Sequence, residues 1–199
     1  MEGRLSPVFL VFDTETNGLA RRGSAPQADL ANWPRLVQIG WILCDEAGRI
    51  ADSHESIVKP EGFSIARAAA QVHGITTERA LAEGVKLRTV LEAFRGAVEA
   101  AEVLVAHNLR FDMNVVAAEF LRTAMPNPLR GKRRRCTMEQ SAEYCRLPGA
   151  HGYKWPTLTE LHQKLFGEPF AGAHGALADA MACMRCFFRL RELGVIRCL

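Results

Sequence analysis

The stretch Val8-Phe9-Leu10-Val11-Phe12-Asp13-Thr14-Glu15-Thr16-Asn17-Gly18-Leu19 decides the reading of this chain. Val8 to Phe12 is an apolar run of buried-strand character, and it leads directly into two acids. Asp13 and Glu15 are two residues apart at the C-terminal end of that strand. A period of two therefore points both carboxylates to the same face. Thr16-Asn17-Gly18-Leu19 then reads as a turn that sets backbone N–H groups and an apolar side chain beside the acids. A lone Asp-x-Glu is commonly a solvated strand end, so its meaning depends on the rest of the chain.

Two further acidic segments supply that context. His107-Asn108-Leu109-Arg110-Phe111-Asp112 follows a short apolar strand, Glu102 to Ala106, and opens a helix running to about Ala124 with Asn108 as its cap. Asp112 falls in the first turn, where the helix dipole also favours a carboxylate. His174-Gly175-Ala176-Leu177-Ala178-Asp179 opens the last helix, Ala176 to Leu193. A spacing of five is about 140° round a helix, so His174 belongs to a glycine-flanked lead-in while Asp179 faces inward. Four clustered carboxylates would repel one another and take up protons unless divalent cations neutralise them. All-oxygen donors select Mg²⁺ or Mn²⁺ over zinc, and two such ions match the charge. Paired ions support in-line phosphoryl displacement, with His174 suited to take the proton from the attacking water.

Around these motifs the periodicities outline an α/β chain. Leu36 to Cys44 is a strand, Asp45 to Gly48 a turn, and Arg49 to Pro60 a third strand completing an antiparallel hairpin. Ala20 to Pro34 has neither period and reads as a surface loop. Helical patterns follow at Ile65 to Val72, from Thr76, and over Lys86 to Ala100. Arg133 to Thr137 is the fifth strand, and Glu139 to Arg146 and Thr157 to Phe166 are helices. Strands first, then helix and strand alternating, give a mixed five-stranded sheet covered by helices.

The order and framing of the three segments resemble the DnaQ-like family of 3′–5′ exonucleases. The resemblance covers roughly Val8 to Leu193 of a single exonuclease domain, and extends in Tyr144-Cys145 and Gly152 to Leu161 to polymerase III epsilon-like exonucleases. It implies an RNase H-like fold, an antiparallel three-stranded part followed by parallel strands, and two Mg²⁺ or Mn²⁺ ions. It implies Asp13, Glu15, Asp112 and Asp179 as metal ligands and His174 as the base. Val72-His73-Gly74-Ile75-Thr76 is similar to the segment that seats the terminal nucleotide, which brings in His73 and Ile75. By the same similarity Thr16, Leu19 and Asn108 line the substrate, with Leu19 against a terminal base. Gly175 stands where many relatives carry a larger polar residue, which implies a more mobile loop.

The expected substrate is the 3′ end of a single-stranded or frayed nucleic acid, DNA in preference to RNA, although no motif reads a 2′-hydroxyl. An RNA-trimming exoribonuclease, an inactive polymerase-associated binding module and a metal-dependent phosphatase are the alternatives. Retention of all four acids and His174 argues against the inactive module, and the Thr-Asn-Gly-Leu frame against the phosphatase. A polymerase subunit is a candidate partner, but the ending at Leu199 leaves little tail for a docking extension.

Bulk properties agree. The 199 residues are 48% hydrophobic, enough for one α/β core. A formal charge of +3 is too small to argue for nucleic acid by itself, so local clusters carry that case. Arg130, Lys132, Arg133, Arg134 and Arg135 are the densest, open between a phosphate contact and a solvated edge-protecting face. Arg21 and Arg22 follow the first motif more closely. Tyr153-Lys154-Trp155 could stack a base and touch a phosphate, with Lys154 as the DNA contact and Trp155 as a core anchor. Nothing approaches membrane-spanning length and no secretory leader is present, so the six cysteines are expected as free thiols of a soluble cytoplasmic protein. Cys183-x-x-Cys186 lacks two further ligands for zinc and is expected to face the core.

Overall fold

The computed structural model describes residues 8–197. Five strands form the main sheet: β1 (Phe9–Thr16), β2 (Leu36–Cys44), β3 (Ile50–Ile57), β4 (Val103–Ala106) and β5 (Arg133–Cys136). Their spatial order is β3-β2-β1-β4-β5. β1 to β3 run antiparallel, whereas β4 is parallel to β1 and β5 to β4. The helices are α1 (Arg67–His73), α2 (Thr77–Glu83), α3 (Leu87–Ala100), α4 (Leu109–Arg122), α5 (Thr137–Gln140), α6 (Ala142–Cys145), α7 (Leu158–Phe166) and α8 (Ala176–Glu192). A small ladder, β6 (Pro148–Gly149) with β7 (Gly152–Tyr153), lies in the loop before α7.

Both faces of the sheet are covered, and β1 shows how its sequence does this. Leu10 and Phe12 enter one core with Trp41, Phe94, Val116 and Phe120, on the side of α3 and α4. Phe9 and Val11 enter another with Ile42, Val105, Cys183 and Phe187, on the side of α8. A central strand buried on both faces reads as a continuous apolar run, as this one does. Its alternation continues past Phe12, so Asp13 and Glu15 point toward α8 and Thr14 toward α4. Cys183 and Cys186 are buried on α8 as core residues, and with Cys44, Cys136 and Cys145 they are free thiols. The sixth cysteine, Cys198, lies outside the described residues.

Several local expectations are corrected. β1 extends to Thr16, so the first two acids lie in its C-terminal end as expected and the turn begins only at Asn17. Asn108 holds the N-cap position of α4 but makes no side-chain cap bond. It adopts φ 69°, a left-handed conformation that asparagine tolerates, and its carbonyl accepts from Phe111 N–H. The helix expected over Glu139 to Arg146 is two short pieces joined at Ser141. Trp155 is 52% exposed rather than a core anchor, because Gly152 to Trp155 runs over the surface before Pro156 turns inward. α7 starts as its sequence dictates, with Thr157 and Glu160 forming a reciprocal capping box.

Candidate active site

Asp13, Glu15 and Asp179 each offer a carboxylate oxygen within 4.8 Å of the others. β1 supplies two of them on its α8 face, and α8 presents Asp179 from its first turn. The approach of α8 to the sheet depends on Gly40, which pairs with Asp13 across β2. A β-carbon there would sit 2.5 Å from the Ala176 carbonyl carbon and 2.6 Å from Leu177 Cα. Gly175 precedes α8 and has no side chain to cap it. Neighbouring strands do so instead: Ala176 N–H donates to Gln38 Oε1 at 3.2 Å and Leu177 N–H to Glu55 Oε1 at 3.0 Å.

Asp112 reaches the same place from the opposite face of β1. Thr14 N–H and Thr14 Oγ1–H both donate to its Oδ1, at 3.0 and 2.7 Å, which fixes the carboxylate, and neither bond engages Oδ2. His174 is exposed in the turn before α8, at φ 69°, and its backbone N–H donates to Asp179 Oδ2 at 3.2 Å.

The cluster is electrostatically costly without cations. Burial, then Asp112, Asp179 and Glu15, holds the Asp13 carboxyl well above the usual carboxylate range. Burial together with Asp179 and Asp112 pushes Glu15 up to about 8. Asp112 is raised to about 7, mainly by burial, against the lowering effect of its Thr14 hydrogen bonds. Burial also raises Asp179, which the His174 hydrogen bond partly offsets. Closely grouped hard oxygen donors that repel one another fit a divalent metal ion.

The remaining expected site residues are placed as follows. Thr16 is buried, and its hydroxyl donates to Gly18 O at 2.6 Å. Leu19 is 89% exposed beside that turn. His73 Nδ1 accepts from Ile75 N–H at 3.1 Å while Nε2–H donates to Thr16 O at 3.3 Å, an arrangement that requires the neutral ring. Burial first, and His174 nearby, keep its pKa low. Ile75 is buried among Val37, Ile65 and Ala80, and with His73 it borders a groove that also takes in Leu177 and Met181. Asn108 is exposed at the entry to α4. Lys154 pairs with Glu160 at 2.6 Å, and among the described residues it forms no ion pair with the four acids.

An exonuclease family model of the RNase T type matches residues 10–187. The chain belongs to the exonuclease family. A DNA polymerase III subunit epsilon-like protein of Rhodobacter capsulatus is 32% identical over 185 residues, 92% of this chain and 23% of that protein. A PolC-type DNA polymerase III of Mycoplasmopsis pulmonis is 30% identical over 117 residues, 59% of this chain and 7% of that one. Escherichia coli exonuclease I, solved with a dT13 oligonucleotide, superposes with a TM-score of 0.71 at 22% identity, over 92% of this chain and 40% of that one. Its zinc-bound complex with single-stranded DNA gives 0.70 at 21% identity, over 93% and 40%. These superpositions show the RNase H-like exonuclease fold. This chain spans less than half the length of those structures and under a quarter of the curated relatives.

Within this exonuclease fold the sequence reading missed the residues that position the acids. Thr14 carries no local signal, because its partner is 98 residues away. Gln38 is a buried amide in an apolar strand, which is itself a signal, as is a glycine inside a strand at position 40. Glu119 is fully buried on α4 and accepts from Arg35 Nε, Leu36 N–H and Arg122. Arg122 in turn donates to Leu30 O and Trp33 O, tying down the loop that follows the first motif. His107, quoted with the second motif, lies between Thr137 Oγ1 and Pro156 O at 3.0 Å each, and burial lowers its pKa to about 4.

Proposed function

We propose that this chain is a single-domain, metal-dependent 3′–5′ exonuclease that releases nucleoside 5′-monophosphates from single-stranded or frayed DNA ends. The observation that carries the reading is the convergence of Asp13, Glu15 and Asp179 within 4.8 Å, with Asp112 behind them. Asp13, Glu15, Asp112 and Asp179 would hold two Mg²⁺ or Mn²⁺ ions, whose chemistry is to neutralise charge on the phosphoryl group under in-line attack. His174 takes a proton from the attacking water at its ring. The water oxygen bonds to phosphorus, the bond from phosphorus to the 3′ oxygen breaks, and that oxygen takes a proton from solvent, so the shortened strand leaves with a 3′-hydroxyl.

Leu19 packs on the terminal base, and Thr16, Asn108, His73 and Ile75 bound the terminal nucleotide. For Thr16 and His73 the contact is through atoms not already used inside the turn. Lys154 lies on the outer part of the substrate path. DNA is supported over RNA by the names of the relatives, which are polymerase III-related proteins, and these also support association with a polymerase. No helix among the described residues is long and apolar enough to cross a membrane. Buried free cysteines support action in the reducing cytoplasm.

The test is a 5′-labelled DNA strand and its RNA counterpart, each incubated with Mg²⁺ or Mn²⁺. The reading expects a ladder shortening from the 3′ end of the DNA, abolished by Asp13→Ala and by EDTA. Preference for RNA would overturn the substrate, and an intact DNA strand with every metal would overturn the activity.

A further inference from the structure

On the α4 side of the sheet, the face from which Asp112 rather than Asp13 and Glu15 approaches, lies a separate cavity of about 370 Å³ whose walls come from α4, β5, α5 and the loop after the first motif. Its floor is apolar, from Leu109, Met113 and Cys136, and it carries two guanidinium groups, Arg110 and Arg134, against one acid, Glu139. Among the described residues neither arginine pairs with a carboxylate, whereas Arg22, Arg79 and Arg133 all do. Both are exposed, so neither is held there by packing.

The sheet places this cavity relative to the acids. β1, β4 and β5 are parallel neighbours, so Glu15, Ala106 and Cys136 lie toward the same, C-terminal edge, where α/β sheets bind ligands. Two inter-strand steps separate β1 from β5, a lateral distance of about 10 Å, and the register sets Arg134 level with Leu10, about another 10 Å along the strand from Asp13. A strand with its 3′ end at the acids can leave in either direction. On the β3 side the groove is bordered by Glu55, and by Arg79 already paired with Glu83. On the β5 side it meets Arg110 and Arg134.

We propose that this cavity is the subsite for the upstream part of a single-stranded DNA substrate. Arg110 and Arg134 contact backbone phosphates, and the Leu109, Met113 and Cys136 floor takes the face of a sugar or base. The inference rests on the exonuclease reading and adds the direction in which the strand leaves the site. It also gives a part of the Arg-rich edge strand a role, because Arg134 faces the cavity while Arg133 is paired with Glu102.

The test is the double variant Arg110→Gln/Arg134→Gln, compared with Arg79→Gln/Arg189→Gln, which removes equal charge from exposed helix positions elsewhere. Hydrolysis of an oligothymidylate of about 20 residues is measured beside that of a thymidine dinucleotide. Anisotropy of the labelled long strand is followed against salt, with Ca²⁺ replacing Mg²⁺. The cavity variant is expected to raise KM for the long strand about ten-fold and leave the dinucleotide within about two-fold. Its salt slope should be shallower by about 1.4, the value for two phosphate contacts on a single strand. The comparison variant should match the wild type in all three. An unchanged long-strand KM and salt slope, or an equal rise for both substrates, would overturn the subsite. Failure of the exonuclease reading looks different: the wild type would hydrolyse neither substrate, while anisotropy would still report whether the two arginines bind the strand. Both side chains are exposed, and an unaltered melting temperature checks that the variant folds.

Discussion

Thr14 and Asp112 are 98 residues apart in sequence, yet the threonine gives both its backbone N–H and its hydroxyl to one oxygen of the aspartate. This relationship divides the acidic site into parts with different support. Asp13 and Glu15 leave β1 toward α8 and meet Asp179, while Thr14 leaves it toward α4 and holds Asp112 by one oxygen. Thr14→Val should therefore act on metal use more than on folding. A hydrogen bond to a charged group contributes about 1.5–3 kcal/mol. We expect activity at limiting Mg²⁺ to fall by roughly ten-fold or more, with a higher half-saturating Mg²⁺ concentration and recovery in Thr14→Ser. A Mg²⁺ titration of both variants checks this.

Gly40 sets the distance between α8 and Asp13. The nearest atoms to an added β-carbon are backbone, which cannot rotate away. Gly40→Ala should destabilise the protein by about 1–3 kcal/mol, as overpacking does, and should move Asp179 off its position. Thermal melts with and without Mg²⁺ check this: a lower melting temperature is expected, along with a smaller gain on adding metal.

Stability without metal should fall as pH rises. Glu15 and Asp112 have folded-state pKa values of about 8 and about 7, above their ordinary values. The folded chain therefore binds protons that the unfolded chain has released. The contribution is fully present below the unfolded carboxylate range, and is lost as pH rises through 7 to 8. In EDTA the melting temperature is expected to drop between pH 5 and 8.5. Glu15→Gln should shrink the drop, and saturating Mg²⁺ should remove it. A flat profile in EDTA would contradict the repulsion.

Glu119 bonds Arg35, Leu36 and Arg122 rather than the acids, so its loss should show first in the loop those residues hold. Removing a fully buried carboxylate that serves Arg35, Arg122 and Leu36 N–H should cost about 3 kcal/mol or more. It should also release the segment from Ala20 to Pro34. Limited proteolysis of Glu119→Ala is expected to cut within that segment sooner than in the wild type.

The strands and the long helices were legible because burial writes itself into local period. β2 is buried throughout and apolar but for Gln38 and Gly40, and α3 repeats its core residues at helical spacing. The three acidic motifs were legible because each carries a local frame. What was not legible depends on partners distant in the chain or on backbone geometry. Thr14 looks like any strand threonine until α4 arrives. Asn108 is a good cap by type, but with its left-handed backbone its side chain makes no cap bond. Trp155 has the composition of an anchor and no core beneath it. Gly40 and Gln38 could have been read, since a glycine and an amide inside a buried strand both ask for a close neighbour.

The central claim is that Asp13, Glu15, Asp112 and Asp179 together hold divalent cations for phosphodiester hydrolysis. Calorimetric titration of Mn²⁺ into the protein saturated with thymidine 5′-monophosphate tests it most directly. Two ions per chain are predicted, with saturable binding greatly weakened in Asp13→Asn and Asp179→Asn. The absence of saturable binding, or binding unchanged in both variants, would contradict the account.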